Sequence, residues 1–327
     1  MTQQVGPGTW RGLKQTSTDD HIFTILAFDQ RGNYRKMLPE GTPYETAVQI
    51  KTEVVSALSP HTSAVLLDPI YGLQPALHVA GSSGLLVALE KSGYSGDSTY
   101  RRLDFIEGWT VEKIKRMGAS AAKLLVYYHP DSGALADELD EIMRQLAADC
   151  RRVDLPFFVE PLSYSLDPAV SKSSAAFAAT RPHAVRETAR RLSRLGVDVL
   201  KLEFPVDADF EADETAWRSA CEAISEVCAV PWVLLSAGVD FETFEKQVTV
   251  ACQAGASGFL AGRAIWREGV AMDTAGRMAF LQDTAVERVA RLSEIATQYA
   301  RPWTEFFAPP SGGESWFTGY DSLTPQA

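Results

Sequence analysis

The residues best suited to chemistry are two lysines set inside apolar runs. Lys201 lies in VDVLKLEFP (197–205), among Val199, Leu200, Leu202 and Phe204, and Lys123 lies in AAKLLVYY (121–128). An ammonium group in such surroundings loses hydration, which favours the neutral amine, and a neutral amine is a nucleophile for a carbonyl carbon. Two lysines facing one cavity would also repel as cations, driving at least one further towards the neutral form. The competing reading is a structural salt bridge with a neighbouring carboxylate. Glu160 ends LPFFVE (155–160), the apolar run before that of Lys201. A carboxyl group there can carry the proton of a substrate hydroxyl or pair with either lysine, and the two roles are compatible.

A second set of residues suits an anion. Ser236-Ala237-Gly238 closes the run PWVLLSA, and Gly262-Arg263 closes SGFLAGR. Backbone N–H groups at such turns, together with the planar fork of an arginine, match a phosphate group. Asp29-Gln30-Arg31 follows the first run. The loop 91–103, KSGYSGDSTYRRL, carries Lys91, Arg101 and Arg102, and is either a solvated loop or a holder of a second anionic group. The segment 163–182 is long, rich in small residues and carries Lys172, as lids over active sites often do. The five histidines show no metal-ligand spacing, although His129-Pro130 could line a pocket rim, and no metal site is expected.

The elements that must position these residues follow from periodicity. Eight short, near-continuous apolar runs occur at 22–29, 63–68, 84–90, 121–128, 155–160, 197–204, 231–237 and 257–263. Continuous rather than alternating apolarity suits strands buried on both faces, as in a parallel sheet. Between them the pattern predicts helices over 42–58, 104–117, 131–153, 182–195, 212–228 and 240–254, with another over 284–300. Only a turn of helix is expected within 71–81. Eight strands with crossovers predict an α/β fold, a (β/α)8 TIM barrel, with an open doubly wound sheet as the competitor. Residues 1–301, including a short N-terminal extension, read as one barrel domain. Residues 302–327 read as an aromatic C-terminal tail, either a loose end or a strap packed on the barrel or a neighbouring subunit.

In a barrel of this kind the active site lies at the C-terminal ends of the strands. Asp29, Asp68, Glu90, Lys123, Glu160, Lys201, Glu203, Ser236 and Arg263 all fall at or near such ends. Charges in apolar strands are costly unless paired or used, so their convergence on one face points to function.

Composition narrows the function. The 327 residues carry 31 Lys and Arg against 42 Asp and Glu, a formal net charge of −11. So acidic a chain lacks the basic footprint of a nucleic-acid binder. No apolar run is long enough to span a membrane. The four cysteines, Cys150, Cys221, Cys228 and Cys252, form no CxxC pair and read as reduced thiols, so a cytoplasmic location is expected.

Seven motifs, AFDQRG (27–32), LLDPIYGL (66–73), ALEKSGY (88–94), PFFVEPLSY (156–164), DVLKLEFPV (198–206), LLSAGVD (234–240) and GRAIW (262–266), together resemble the class I tagatose-1,6-bisphosphate aldolases. The likeness runs from about residue 10 to about residue 300. It implies a (β/α)8 barrel and metal-free aldol cleavage of a sugar phosphate to dihydroxyacetone phosphate and glyceraldehyde 3-phosphate, with no cofactor. By motif match it implies Lys201 as the Schiff-base lysine and Glu160 as the acid/base. It places Asp29, Gln30 and Lys123 in the pocket and Ser236 and Arg263 on phosphate. Arg31, Gly238 and Gly262 adjoin these positions and join the expected binding set. The C-terminal third also resembles the sulfofructose-phosphate aldolases, a sister group with the same lysine chemistry. Two other readings stay open at this level: a barrel isomerase or epimerase, and a non-catalytic sugar-phosphate-binding barrel. A homo-oligomer is possible on either.

Overall fold

The structure, a computed structural model, describes residues 2–91 and 97–323. The middle of the cationic loop 91–103 and the motif ALEKSGY therefore lie partly outside the described residues.

Eight parallel strands close into a barrel: β1 (Phe23–Phe28), β2 (Ala64–Leu67), β3 (Gly84–Ala88), β4 (Ala121–Tyr127), β5 (Phe157–Leu162), β6 (Val199–Leu202), β7 (Trp232–Leu235) and β8 (Gly258–Ala261). Each strand pairs with the next, and β8 pairs back onto β1, so the open-sheet alternative is excluded. Every strand residue is buried, which is why the runs carry no polar alternation: one face meets the barrel interior and the other the helices. Each observed strand lies within its predicted run except β5, which continues past 160 to Leu162. Lys123, Glu160 and Lys201 are therefore strand residues, whereas Asp29, Glu90, Ser236 and Gly262 stand just beyond strand ends.

The helices agree less closely. The stretch expected as helix over 104–117 is helical only over Val111–Arg116, because Phe105 instead bridges to Glu90 in extended conformation. Thr110 caps this helix by accepting from Lys113 N–H. The helix expected over 182–195 starts earlier, at Ala175, and runs to Leu192 with Pro182 inside it. Alanine is the best helix former, and the run AAFAAT together with the Ser174 cap, which accepts from Phe177 N–H, outweighs the proline. The long segment after β5 is thus shorter than its composition suggests, ending at Ser174.

The N-terminal extension forms a helix, Pro7–Thr16, across the N-terminal end of the barrel. Gly12 permits this close approach, since a Cβ there would lie 2.5 Å from Ser120 O and 2.6 Å from the Pro156 ring. Trp303, from the start of the aromatic tail, is fully buried against this helix. Its ring lies 4.6 Å from that of Trp10, and its Nε1 donates to Ser17 Oγ at 2.9 Å. Phe307 then pairs with Gln3 in a short parallel bridge.

Candidate active site

Alternation along the strands sends specific residues into the barrel mouth. On β4, Lys123, Leu125 and Tyr127 share one face; Leu125 and Tyr127 join Leu162, Tyr164 and Leu235 in a small apolar cluster distinct from the main core. Lys123 sits below that cluster, opposite Phe158 in the register with β5, while Leu125 is opposite Glu160.

The charged groups converge below this apolar ring. Glu160 Oε2 lies 2.9 Å from Lys201 Nζ and 2.8 Å from Lys123 Nζ. Lys123 also donates to Asp29 Oδ2 at 2.7 Å and to Glu90 Oε1 at 3.2 Å. Glu90 in turn accepts from Arg31 Nη2 at 3.1 Å and from Leu125 N–H at 2.9 Å. All six side chains are buried, three cations against three carboxylates. Such a cluster is tolerable because each charge has an opposite neighbour.

The electrostatics correct one expectation. Lys123 and Lys201 do not confront each other, because the carboxylate of Glu160 stands between them. Burial alone would push Lys123 down, but Asp29, Glu160 and Glu90 outweigh it and hold its ammonium above the ordinary lysine range. Lys123 is a fixed cation, not a second neutral amine. Burial opposes ionisation of Asp29, yet Lys123 and Lys201 hold its carboxyl well below the usual range. Burial raises Glu90, and Lys123 and Arg31 offset only part of that rise.

Asp29 is held from behind. Lys51, on the helix Tyr44–Leu58, is fully buried and donates to Phe28 O at 2.7 Å and Gln30 O at 3.1 Å, the carbonyls on either side of Asp29. Its charge is balanced by Asp68 Oδ2 at 2.6 Å. Asp68 therefore points away from the mouth, contrary to the expectation from its strand-end position: its second oxygen accepts from Ile70 and Tyr71 N–H. Nothing in the local sequence distinguishes Lys51 from a solvated helix lysine. Only the barrel geometry buries it.

The expected anion residues also come together. Gly262 N–H donates to Ser236 Oγ at 3.3 Å, joining the ends of β7 and β8. Gly262 and Gln30 are packed so closely that a Cβ on the glycine would lie 3.2 Å from Gln30 Nε2. Gly238 has φ +91°, and a Cβ there would lie 2.8 Å from Arg263 Cζ, so the glycine leaves the space the guanidinium occupies. Arg263 opens the helix Arg263–Val270, whose first N–H groups face the same turn. Arg31 contributes differently: its Nη atoms bind the carbonyls of Glu90 and Lys91 as well as the Glu90 carboxylate, bracing the end of β3.

Above these residues lies a cavity of about 290 Å³, lined by Asn33, Tyr127, Lys172, Glu203, Leu235 and Arg263 among others. Glu203, two residues beyond Lys201, accepts from both the N–H and the hydroxyl of Ser163 at 2.6 Å. Burial would raise its carboxyl, but Lys172, Arg181 and the Ser163 bonds hold it below the ordinary range. The charge pattern of the sequence gives no signal for the pairing of Glu203 with Ser163 and Lys172. His129 sits at the rim of a separate cavity with Asp131 and His183. A cavity of about 990 Å³ lies in the helical layer around Tyr44, His61 and Met278 and shares no residue with this site.

Residues 23–268 match the family model described as DeoC/LacD family aldolase. The chain belongs to the DeoC/LacD aldolase family. As a member it is an aldolase, a carbon–carbon lyase. It is 34% identical over 315 residues to a tagatose 1,6-diphosphate aldolase of Streptococcus agalactiae, covering 90% of this chain and 97% of the relative. It is 36% identical over 323 residues to a tagatose 1,6-diphosphate aldolase of Listeria monocytogenes, covering 92% and 95%. Among solved structures, the fold matches a Schiff-base-forming fructose-1,6-bisphosphate aldolase with a TM-score of 0.61 at 18% identity, over 88% of this chain and 99% of that one. It matches a fructose-bisphosphate aldolase from Slackia heliotrinireducens with the same TM-score at 15% identity, over 88% and 89%. These likenesses carry the barrel fold.

Proposed function

We propose that this aldolase is a class I enzyme in which Lys201 forms a Schiff base with a ketose 1,6-bisphosphate such as tagatose 1,6-bisphosphate. The observation that carries the reading is the buried contact between Lys201 Nζ and Glu160 Oε2 at 2.9 Å, inside adjacent strands. The relatives' substrate supports the choice of ketose.

In this mechanism Lys201 passes a proton to Glu160 and its free amine attacks the C2 carbonyl. Glu160 returns that proton to the departing hydroxyl, and loss of water from the carbinolamine gives an iminium, which draws electrons from the C3–C4 bond. A carboxylate in the position of Glu160 takes the C4 hydroxyl proton as that bond breaks, releasing the aldehyde, glyceraldehyde 3-phosphate. The remaining enamine takes a proton at C3, and hydrolysis of the resulting iminium frees dihydroxyacetone phosphate and restores Lys201. Lys123, fixed as a cation, holds Glu160 and Asp29 in place throughout. Ser236, Gly238, Gly262 and Arg263 hold the phosphate on C1, and Asp29 and Gln30 face the sugar hydroxyls. Anchoring the charged end is what aligns the reacting bond.

The test is reductive trapping. Dihydroxyacetone phosphate with borohydride should leave a stable adduct on Lys201, found by peptide mass mapping, and Lys201→Ala should abolish both adduct and cleavage. An unmodified Lys201, or an active Lys201→Ala variant, overturns the assignment.

A further inference from the structure

We propose that Lys172 is a specificity-determining residue of this site: it exchanges its partner Glu203 for the second, distal phosphate of the substrate, and so selects ketose bisphosphates over ketose 1-phosphates. The inference rests on the aldolase reading above and extends it to the far end of the substrate.

Lys172 lies on the segment between β5 and the helix Ala175–Leu192. Its Nζ is 3.7 Å from Glu203 Oε1, an ion pair too long to be a hydrogen bond, and its side chain is 41% exposed. Glu203 does not depend on it alone. The other carboxylate oxygen of Glu203 holds two short bonds from Ser163, and Arg181 Nη2 stands 4.0 Å from the same oxygen that Lys172 faces. Lys172 can therefore leave while Glu203 stays compensated.

The cavity it faces already has the character of an anion site. Lys172 and Arg263 line the same 290 Å³ space, one from the segment after β5 and the other from the end of β8, with Asn33 and Ser98 as further polar groups. Tyr127, Leu162 and Leu235 supply its apolar wall. Two cations from opposite parts of the barrel rim fit a ligand with a negative group at each end. In a chain with a net charge of −11 such a pairing has no bulk electrostatic origin. Two of the cations that the sequence offers on the loop after β3 are engaged elsewhere: Lys91 pairs with Asp104 at 3.0 Å and Arg102 with Glu138, both pairs exposed. Arg101 lies over the Tyr127 ring at 4.6 Å, behind one wall of the cavity.

The test compares Lys172→Gln and Lys172→Arg with the wild-type chain on tagatose 1,6-bisphosphate and on tagatose 1-phosphate. In Lys172→Gln the preference for bisphosphate, taken as the ratio of the two kcat/KM values, should fall about tenfold or more, with the loss carried by KM for the bisphosphate, as expected for one charge-assisted phosphate contact. Lys172→Arg should restore most of the ratio. A ratio is insensitive to loss of folded enzyme, so a poorly folding variant does not blur the result. A Lys172→Gln ratio equal to that of wild type, or a wild-type enzyme indifferent to the distal phosphate, overturns the inference while leaving the aldolase reading intact. Wild-type enzyme that cleaves neither ketose overturns both.

Discussion

Lys201 and Lys123 meet on a single oxygen atom, Glu160 Oε2, at 2.9 and 2.8 Å. One carboxylate therefore serves two cations with different duties. Lys123 is locked by Asp29 and Glu90 as well, whereas Lys201 has Glu160 as its one ion-pair partner within 4 Å among the described residues. In the proposed mechanism a proton leaving Lys201 has an acceptor already in contact, and the iminium that would replace the ammonium keeps a counter-charge. The carboxylate between the two lysines removes the expected repulsion between them.

Glu160→Gln should separate imine formation from bond cleavage. The amide keeps the shape and one acceptor but cannot take the C4 hydroxyl proton. Cleavage of the bisphosphate should slow by about 10²- to 10³-fold, while borohydride still traps dihydroxyacetone phosphate on Lys201, more slowly than in wild type because that lysine has lost its proton acceptor. Cleavage at the wild-type rate would move the acid/base role to another group.

Lys123→Met should be costly to the fold as well as to catalysis. It leaves Asp29, Glu90 and Glu160 buried around a neutral side chain, and breaking a buried ion cluster from one side costs about 3–5 kcal/mol. The pH dependence has a definite sign. Lys123 is raised in the folded chain, so its contribution is complete below its unfolded value of 10.5 and disappears as pH climbs through the higher folded value. Asp29 is depressed, so its share is present above its unfolded value of 3.8 and is lost as pH drops through the lower folded value. Urea unfolding should show a wild-type advantage that widens from about pH 5 to pH 9, because the carboxylates stranded in the variant are relieved by protonation at the acid end and lose that relief as pH rises. An advantage that shrinks across that interval contradicts the assignment of charges.

How much of this was legible beforehand depended on whether the signal is local. The barrel was, because each strand is buried on both faces and so prints a continuous apolar run. Lys201, Lys123 and Glu160 stood out because they break such runs. The Ala175–Leu192 helix was partly hidden by its serine-rich approach and by Pro182. The helix Pro7–Thr16, with two glycines and weak apolar periodicity, gave no local pattern; packing against the barrel floor makes it. Lys51 and Glu203 were invisible as partners because their counterparts, the Phe28 and Gln30 carbonyls and the Ser163 N–H, come from other strands. Pairing across a closed barrel is a property of register, which one sequence does not print.

The Lys51–Asp68 pair yields a prediction of non-additivity. Lys51→Met alone strands a buried Asp68 carboxylate and releases the carbonyls beside Asp29, so stability should fall by about 3–5 kcal/mol. Asp68→Asn keeps an acceptor for Ile70 and Tyr71 N–H but removes the charge. The double variant Lys51→Met/Asp68→Asn should therefore be more stable than Lys51→Met, by at least about 1 kcal/mol in a double-mutant cycle read by denaturant midpoints. Simple additivity would mean that the two groups are not energetically coupled.

Asp198 offers a test at the opposite end of the barrel. It precedes β6, accepts from Phe157 N–H at 2.8 Å, and burial pushes its carboxyl up to about 7 against the opposing influence of that bond and of Arg151. Its folded value thus lies above its unfolded value of 3.8. The folded chain holds the proton more tightly, so stability is greatest below about pH 4 for this group and declines as pH rises towards 7. Asparagine retains the acceptor and never ionises. Asp198→Asn should match wild type near pH 4 and become more stable above pH 7, by on the order of 1–3 kcal/mol once partial solvent access is allowed for. Thermal unfolding from pH 4 to pH 8 measures the divergence. Because Asp198 lies three residues before Lys201, just ahead of the N-terminal end of β6, borohydride trapping of Lys201 should proceed in the variant as in wild type. A gap that narrows with rising pH would reverse the sign assigned to this carboxyl.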